Sequence, residues 1–307
     1  MAPLIMLLLM QLSSPEDRAV QYVTSEVELW PAENRCFSCH NSGDGARAFI
    51  EAYRLKAAPK VDGLQATLDW LQRPEEWGKG AGNAFGDPKL ARIQFAAALT
   101  DAVEAGLVKD RNLVKRAAQL LASHQEPDGS WQVDAEGSLP SAVGYGPVLA
   151  TFMARRTLER ANDAQFKDAV ARADTWLRGA GIAATVNAAA VVLALSDRSD
   201  PASKASVERA LTSLLEAQLS GGGWGAFPKS PAAPFESAMG LLALGAVRST
   251  KDVEARIAKG RAFLQSTQFE DGGWPAALGA ADSGTYARHM STSAWATLAL
   301  ISTKPKQ

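Results

Sequence analysis

The sequence predicts an all-α fold, an (α/α)6 toroid in which six helix pairs close into two concentric rings. Two observations carry this. A Gln-to-Trp phrase recurs with a period of roughly 50 residues, and each well-formed copy lies between an amphipathic stretch and one that is apolar on nearly every face. The 307 residues, 47% of them hydrophobic, suffice for one large core. With 32 basic against 33 acidic side chains and no basic block, the chain offers nothing to a phosphate backbone, so nucleic acid is excluded as a partner. No apolar run reaches the roughly 18 residues that a membrane-spanning helix needs.

The first helix begins at Ser14-Pro15-Glu16-Asp17, with Ser as N-cap, Pro at the first helical position and two acids facing the dipole. Ahead of it, Ala2 to Met10 has the length of a secretory core but neither a preceding Lys or Arg nor an Ala-x-Ala site. Residues 1–13 therefore read as a signal peptide or an apolar arm, residues 14–303 as a single toroid domain, and 304–307 as a tail.

The repeated phrases are Gln125-Glu-Pro-Asp-Gly-Ser-Trp131, Gln218-Leu-Ser-Gly-Gly-Gly-Trp224 and Gln268-Phe-Glu-Asp-Gly-Gly-Trp274, each Gln six residues before its Trp. Weaker copies end at Trp30 and Trp77. The 93-residue gap between Trp131 and Trp224 is two periods, its missing copy being the turn Gly179-Ala-Gly181 after a helix over 171–178 that contains Trp176. Amphipathic outer helices carry Ala117, Leu120 and Leu121, then Leu211, Leu214 and Leu215, then Phe263 and Leu264. Apolar inner helices are expected near 41–55 and over 186–195, 237–247 and 291–301. In each joint, Gln satisfies free groups at helix ends, Gly allows a left-handed turn and the indole covers the junction. His124, Asp128 and Asp271 read as chemistry of these turns.

These phrases resemble the QW repeats of the squalene/terpene cyclase and protein prenyltransferase superfamily, over the whole chain after Ser14. The resemblance implies the toroid; activity depends on the site. Class II terpene cyclases of this kind use an Asp-x-Asp-Asp acid to protonate an alkene or epoxide, line the cavity with rings that stabilise carbocations, and have two toroids. This chain has no such tetrad; Ser196-Asp197-Arg198-Ser199-Asp200-Pro201 is a polar loop, and the main interior rings are Phe95, Tyr145, Phe152 and Trp295. Prenyltransferases hold zinc with Asp, Cys and His from late repeats. His289 stands in a similar place, yet no Cys lies there. The Cys-Gly-Glu-Gln phrase of thioester toroids is also absent.

Both cysteines of the chain fall in Cys36-Phe-Ser-Cys39-His40. This is the form of c-type haem attachment, in which two thiols add to vinyl groups and the adjacent His ligates iron. A Cys36–Cys39 disulfide or redox pair, a metal site and an inert turn are the alternatives; zinc is disfavoured because Cys39 and His40 are neighbours. Haem attachment and a disulfide both require export, so a periplasmic or secreted location is expected. Ring closure sets the last repeat beside the first, making Met290 or His289 the candidate second axial ligand to His40 iron; both also read as ordinary rim and core residues.

Parallel inner helices gather their N-termini at one rim, which favours anions. Arg92, Tyr145, Asn187, Glu236, Arg288 and His289 are expected there above Ala- and Leu-rich walls, a place for a hydrophobic or isoprenoid small molecule, although each residue also has a capping or solvated role. The function placed first is a haem-bearing redox or electron-transfer component with a redox partner protein. An isoprenoid- or lipid-processing enzyme with a divergent site, and a non-enzymatic scaffold for lipid or peptide, are the alternatives.

Overall fold

Alternation of one-sided and all-round apolar stretches becomes alternation of outer and inner helices. The computed structural model describes residues 14–57, 62–78, 87–133, 140–247, 250–278 and 284–305. The N-terminal apolar run and residues 306 and 307 lie outside them. Among the described residues there are twelve α-helices and no strand. They are α1 Pro15–Asn34, α2 Ala46–Arg54, α3 Gln65–Leu71, α4 Pro88–Glu104, α5 Asn112–Ala122, α6 Gly146–Arg160, α7 Lys167–Arg178, α8 Thr185–Leu195, α9 Pro201–Ala217, α10 Pro234–Ala246, α11 Lys251–Thr267 and α12 Tyr286–Ser302. The even-numbered helices form the inner ring: each packs on the next, and α12 packs back on α2. No helix among the described residues is long and apolar enough to cross a membrane.

Burial follows the sequence pattern. Outer α9 buries Ser203, Ser206, Ala210, Leu214 and Ala217, one stripe at intervals of three and four. Inner α12 is buried at every residue from Met290 to Ile301. The inner helices run slightly past the ranges read from sequence: α8 begins at Thr185, α10 at Pro234 and α12 at Tyr286. Caps fix the starts. Ser14 and Asp17 form a reciprocal capping box with both bonds at 3.1 Å, and Asp200, at the end of the polar loop before α9, accepts the Ser203 amide at 2.9 Å.

Three joints share one geometry. The indole N–H of Trp131, Trp224 and Trp274 donates at 2.8 Å to Leu121, Leu214 and Leu264 respectively, each ten residues earlier. Their backbone N–H groups donate at 2.9 Å to hydroxyls of Thr151, Ser237 and Ser293 on the following inner helix. Gln125, Gln218 and Gln268 each donate to the glycine carbonyl four residues on and to a carbonyl of the next outer helix, at Ala169, Arg256 and Pro15. Gly129, Gly222 and Gly272 sit at φ 97, 91 and 99°, where a Cβ would strike the carbonyl of Arg172, Lys259 or Arg18. Glycine is needed here for both reasons. Asp128 and Asp271 accept the amides of Ser130 and Gly273 within these turns.

The last joint closes the ring. Gln268 reaches Pro15, Arg18 donates to Gln268 Oε1 at 2.9 Å, and Arg261 pairs with Glu16. The weak copies depart from the pattern for visible reasons. Trp77 is buried, but its indole N–H bonds Trp70, seven residues back, at 3.4 Å. Trp30 is not at a joint at all. It lies inside α1 and stacks on Tyr286 of α12, with ring centroids 5.0 Å apart, because α1 runs on to Asn34. The first joint is the cysteine segment instead.

Trp224 fits between α10 and α11 against Gly240 and Gly260. Trp224→Ala is expected to cost about 3–5 kcal/mol in urea unfolding. Trp176→Ala, in the repeat without a joint, is expected to cost about 1 kcal/mol or less.

Candidate functional site

The first joint is a π-helical turn, Cys39–Gly45, that leads directly into α2. Ser38 Oγ accepts the His40 amide at 3.1 Å and starts the turn. Its wide winding carries Asn41 to Gly45 into full burial, and Gly43 is pressed so closely on Gln94 of α4 that a Cβ would stand 2.9 Å from it.

Asp44 is the centre of this buried turn. Its Oδ2 accepts from Gln94 of α4 at 2.8 Å and from Ser291 of α12 at 2.9 Å, while Oδ1 accepts from the Tyr145 hydroxyl at the head of α6. Burial pushes Asp44 up to about 6, against the pull of Tyr145, Arg47, Ser291 and Gln94. Tyr145 sits at φ 56°, an uncommon backbone state for a side-chain-bearing residue, and is fully buried. Its bond to Asp44 holds it there.

Ser291 also meets His40 Nδ1 at 2.9 Å. The Ser291 hydroxyl donates to Asp44, so its oxygen accepts from Nδ1–H of His40, which leaves Nε2 with its lone pair and no hydrogen-bond partner among the described residues. Burial lowers the His40 pKa to about 4 and keeps the ring neutral.

The cysteines lie in different surroundings. Cys36 is exposed, whereas Cys39 packs against the core and burial, reinforced by Asp44, pushes its thiol up to about 12. Phe37 between them stacks on Trp70, centroids 4.9 Å apart. Among the described residues no three His, Cys, Asp or Glu side chains converge as a metal site. Met290 is buried with its methyl where a Cβ of Gly45 would stand. His289 faces Phe269, ring centroids 6.4 Å apart.

A cavity of about 700 Å3 lies at the other end of the ring. Its lining comes from the later turns of the inner helices: Asp101 and Glu104 of α4, Phe152, Arg156 and Arg160 of α6, Leu193, Leu242, and Trp295, Leu298 and Ser302 of α12, with Arg47, Ile50, Glu51 and Arg54 of α2 and Arg111 beside them. The expectation of this chamber at the helix N-termini is therefore corrected. There, Tyr145 and the rings of Trp295 and Phe235 fill the interior. Arg92 bonds His124 at 2.8 Å, Asn187 bonds the Gly181 carbonyl at 3.1 Å beside a separate shallow cleft, and Arg288 is exposed. Glu236 lies half-buried in the first turn of α10, pushed up to about 7 by burial. None of these lines the cavity.

Charges inside the cavity are ordered. Arg47 donates through Nε to Asp101 at 3.0 Å and lies over the Trp295 ring, 4.9 Å from its centroid. Arg156 pairs with Asp101 at 2.6 Å and Glu104 at 3.1 Å, and Arg160 with Glu104 at 3.2 Å. Burial opposes ionisation of Asp101, but Arg156 and Arg47 outweigh it and hold the carboxyl below its usual range. Arg54 binds Glu51. Every carboxylate of the cavity is thus ion-paired, and Asp44 accepts three donors. Asp44 and Glu236, carboxyl groups that burial raises, both lie outside the cavity.

Sequence reading found His40 but not its partner Ser291 or the Asp44 and Gln94 behind it, nor Arg47, Asp101 and Arg156. The last three lie on inner helices that carry several other charges, so no local pattern singled them out.

No family model matches the sequence, and no curated protein is similar to it in sequence. Solved structures share its fold. The type II terpene cyclase MstE from Scytonema, in complex with geranylgeranyl dihydroxybenzoate, is 14% identical, with a TM-score of 0.62 over 94% of this chain and 97% of its own. ent-Copalyl diphosphate synthase from Streptomyces platensis is 20% identical, with a TM-score of 0.54 over 83% of this chain and 50% of its own. A polysaccharide lyase is 10% identical, with a TM-score of 0.59 over 93% and 97%. At these identities the likeness is one of fold. The expectation that cyclases of this kind have two toroids does not hold for MstE, nearly all of which this chain spans.

Tyr145→Phe removes one donor to Asp44 and is expected to cost about 1–3 kcal/mol in denaturant unfolding. His40, held neutral, contributes stability that is complete above about pH 6.5 and is lost as the pH falls through about 4. Asp44, raised to about 6, acts in the opposite sense. His40→Asn should therefore lose less thermal stability than the parent between pH 7 and pH 4.5.

Proposed function

We propose that this toroid binds an elongated apolar molecule of isoprenoid kind in the cavity at the C-terminal ends of its inner helices, and that it does so without cyclase acid or prenyltransferase zinc chemistry. The observation that carries the reading is the mixed lining: Ile50, Phe152, Leu193, Leu242, Trp295 and Leu298 offer apolar surface among ion-paired arginines and carboxylates. The likeness to MstE, solved with a geranylgeranyl compound, supports the ligand class. The ordered pairing of Asp101, Glu104 and Glu51 with arginines supports binding over protonation. Whether a bound molecule is transformed depends on a group that the ligand or a partner brings.

A second reading rests on His40. A neutral imidazole whose Nδ1 is fixed by Ser291 and whose Nε2 is uncommitted is oriented as a metal-ligating histidine is. With Cys36 and Cys39 adjacent, covalent haem c is a proposal for this motif, and export and a redox partner go with it. Cys36 is already exposed; Cys39 would have to leave its packing on the core to form its thioether.

Calorimetric titration with farnesol is expected to show saturable binding that Leu193→Trp, filling the cavity, weakens at least tenfold; no heat and an unchanged melting temperature would remove the first reading. Expression in a host competent for cytochrome maturation is expected to yield a Soret band and a haem mass increment. A colourless product of unmodified mass would end the second.

A further inference from the structure

His40 and Asp44 ride on the same π-helical turn, yet they are joined through a residue from the far end of the chain. Ser291 of α12 stands between them, 2.9 Å from His40 Nδ1 and 2.9 Å from Asp44 Oδ2. The bridge therefore spans the closure of the ring, from the last repeat to the first. Its directions are fixed by what each group can offer. Asp44 already accepts from Gln94 and Tyr145, and a carboxylate has only lone pairs to give, so the single hydroxyl proton of Ser291 goes to Asp44. The hydroxyl can then only accept from His40, which draws the imidazole proton to Nδ1.

Burial makes this order hard to reverse. Asp44, Ser291, Gln94 and Tyr145 are all buried, so a lost donor leaves a carboxylate oxygen short of a partner. His40 is half-buried at the edge of this hub, and Cys36 before it is exposed. One nitrogen of the ring thus faces the hub, and the other, with its lone pair, lies on the opposite edge. A hydrogen bond from a ligating histidine toward a carboxylate fixes its tautomer and raises its basicity, and bonds of this kind tune the potential of a haem. Here the carboxylate acts through one hydroxyl.

We infer that Ser291 and Asp44 are positioning residues for His40: they hold its proton on Nδ1, present Nε2 as an electron-rich ligand, and favour the ferric state of haem iron held there. The tautomer follows from the chain's own residues alone; the effect on iron rests on the covalent-haem reading. The cysteines of the first repeat supply the attachment, and α12 of the last repeat supplies the control.

Two measurements separate these parts. In the full-length protein without haem, labelled with 15N at histidine, long-range 1H–15N NMR at pH 7.5 is expected to show His40 with its proton on Nδ1 and a bare Nε2. Ser291→Ala should move the proton to Nε2, and Ser291→Thr, which keeps the hydroxyl, should not. In protein matured with covalent haem, spectroelectrochemistry should find the ferric-to-ferrous ratio at a fixed potential at least tenfold lower in Ser291→Ala than in the parent, a rise of about 59 mV for one electron. Ser291→Thr should restore the parent value. A parent His40 with its proton on Nε2 would overturn the relay whatever the haem content, and that measurement needs no variant to fold. A proton on Nδ1 with equal potentials in parent and Ser291→Ala would overturn the effect on iron alone. Failure of the parent to take up haem would remove the covalent-haem reading and the effect on iron with it, while the tautomer still decides the relay.

Discussion

One carboxylate holds the interior together. Asp44 stands where the first repeat enters the inner ring and takes hydrogen bonds from α4, from the head of α6 and from α12. An ion in an apolar ring is costly unless each lone pair finds a donor. Here the donors come from elements far apart in sequence, so the charge is accommodated only when the ring is closed. The same carboxylate, through Ser291, sets the orientation of His40, and through its charge it acts on Arg47 one helical turn away.

Around this centre the repeated joints act as interchangeable couplings. Trp131, Trp224 and Trp274 make the same bonds to the same relative positions because glutamine, glycine and indole each meet a need common to every outer-to-inner junction. Where a copy is degenerate, the structure spends the position differently: Cys36 to His40 replaces the first joint, and the glycine-rich turn at 179–181 borders a cleft beside Asn187.

The two ends of the ring have different characters. At the inner-helix N-termini, rings and the buried π-helical turn close the interior. At the C-termini there is a chamber lined by apolar groups and by paired arginines and carboxylates. A shared backbone therefore says little about chemistry. A terpene cyclase and a polysaccharide lyase both have this fold, and what distinguishes this chain is which side chains its inner helices turn inward and how completely they are paired.

The sequence by itself determined the helix pairs, their number, the inner or outer place of each, and the structural role of the three full joints. Those follow from local periodicity and from groups that interact within about fifty residues, except that the joint at Trp274 is completed by Pro15 across the ring closure. It also marked Cys36, Cys39 and His40 as unusual. Only the tertiary structure decided that Trp30 belongs to a helix, that the chamber opens at the C-terminal end, and that Asp44 binds Gln94, Tyr145 and Ser291. Each of these depends on distances between segments that meet only after closure. The cysteine motif could be read because its residues are contiguous; the Asp44 hub and the pairing of Arg47 and Arg156 on Asp101 could not, because residues separated by 50 to 250 positions carry no shared local pattern.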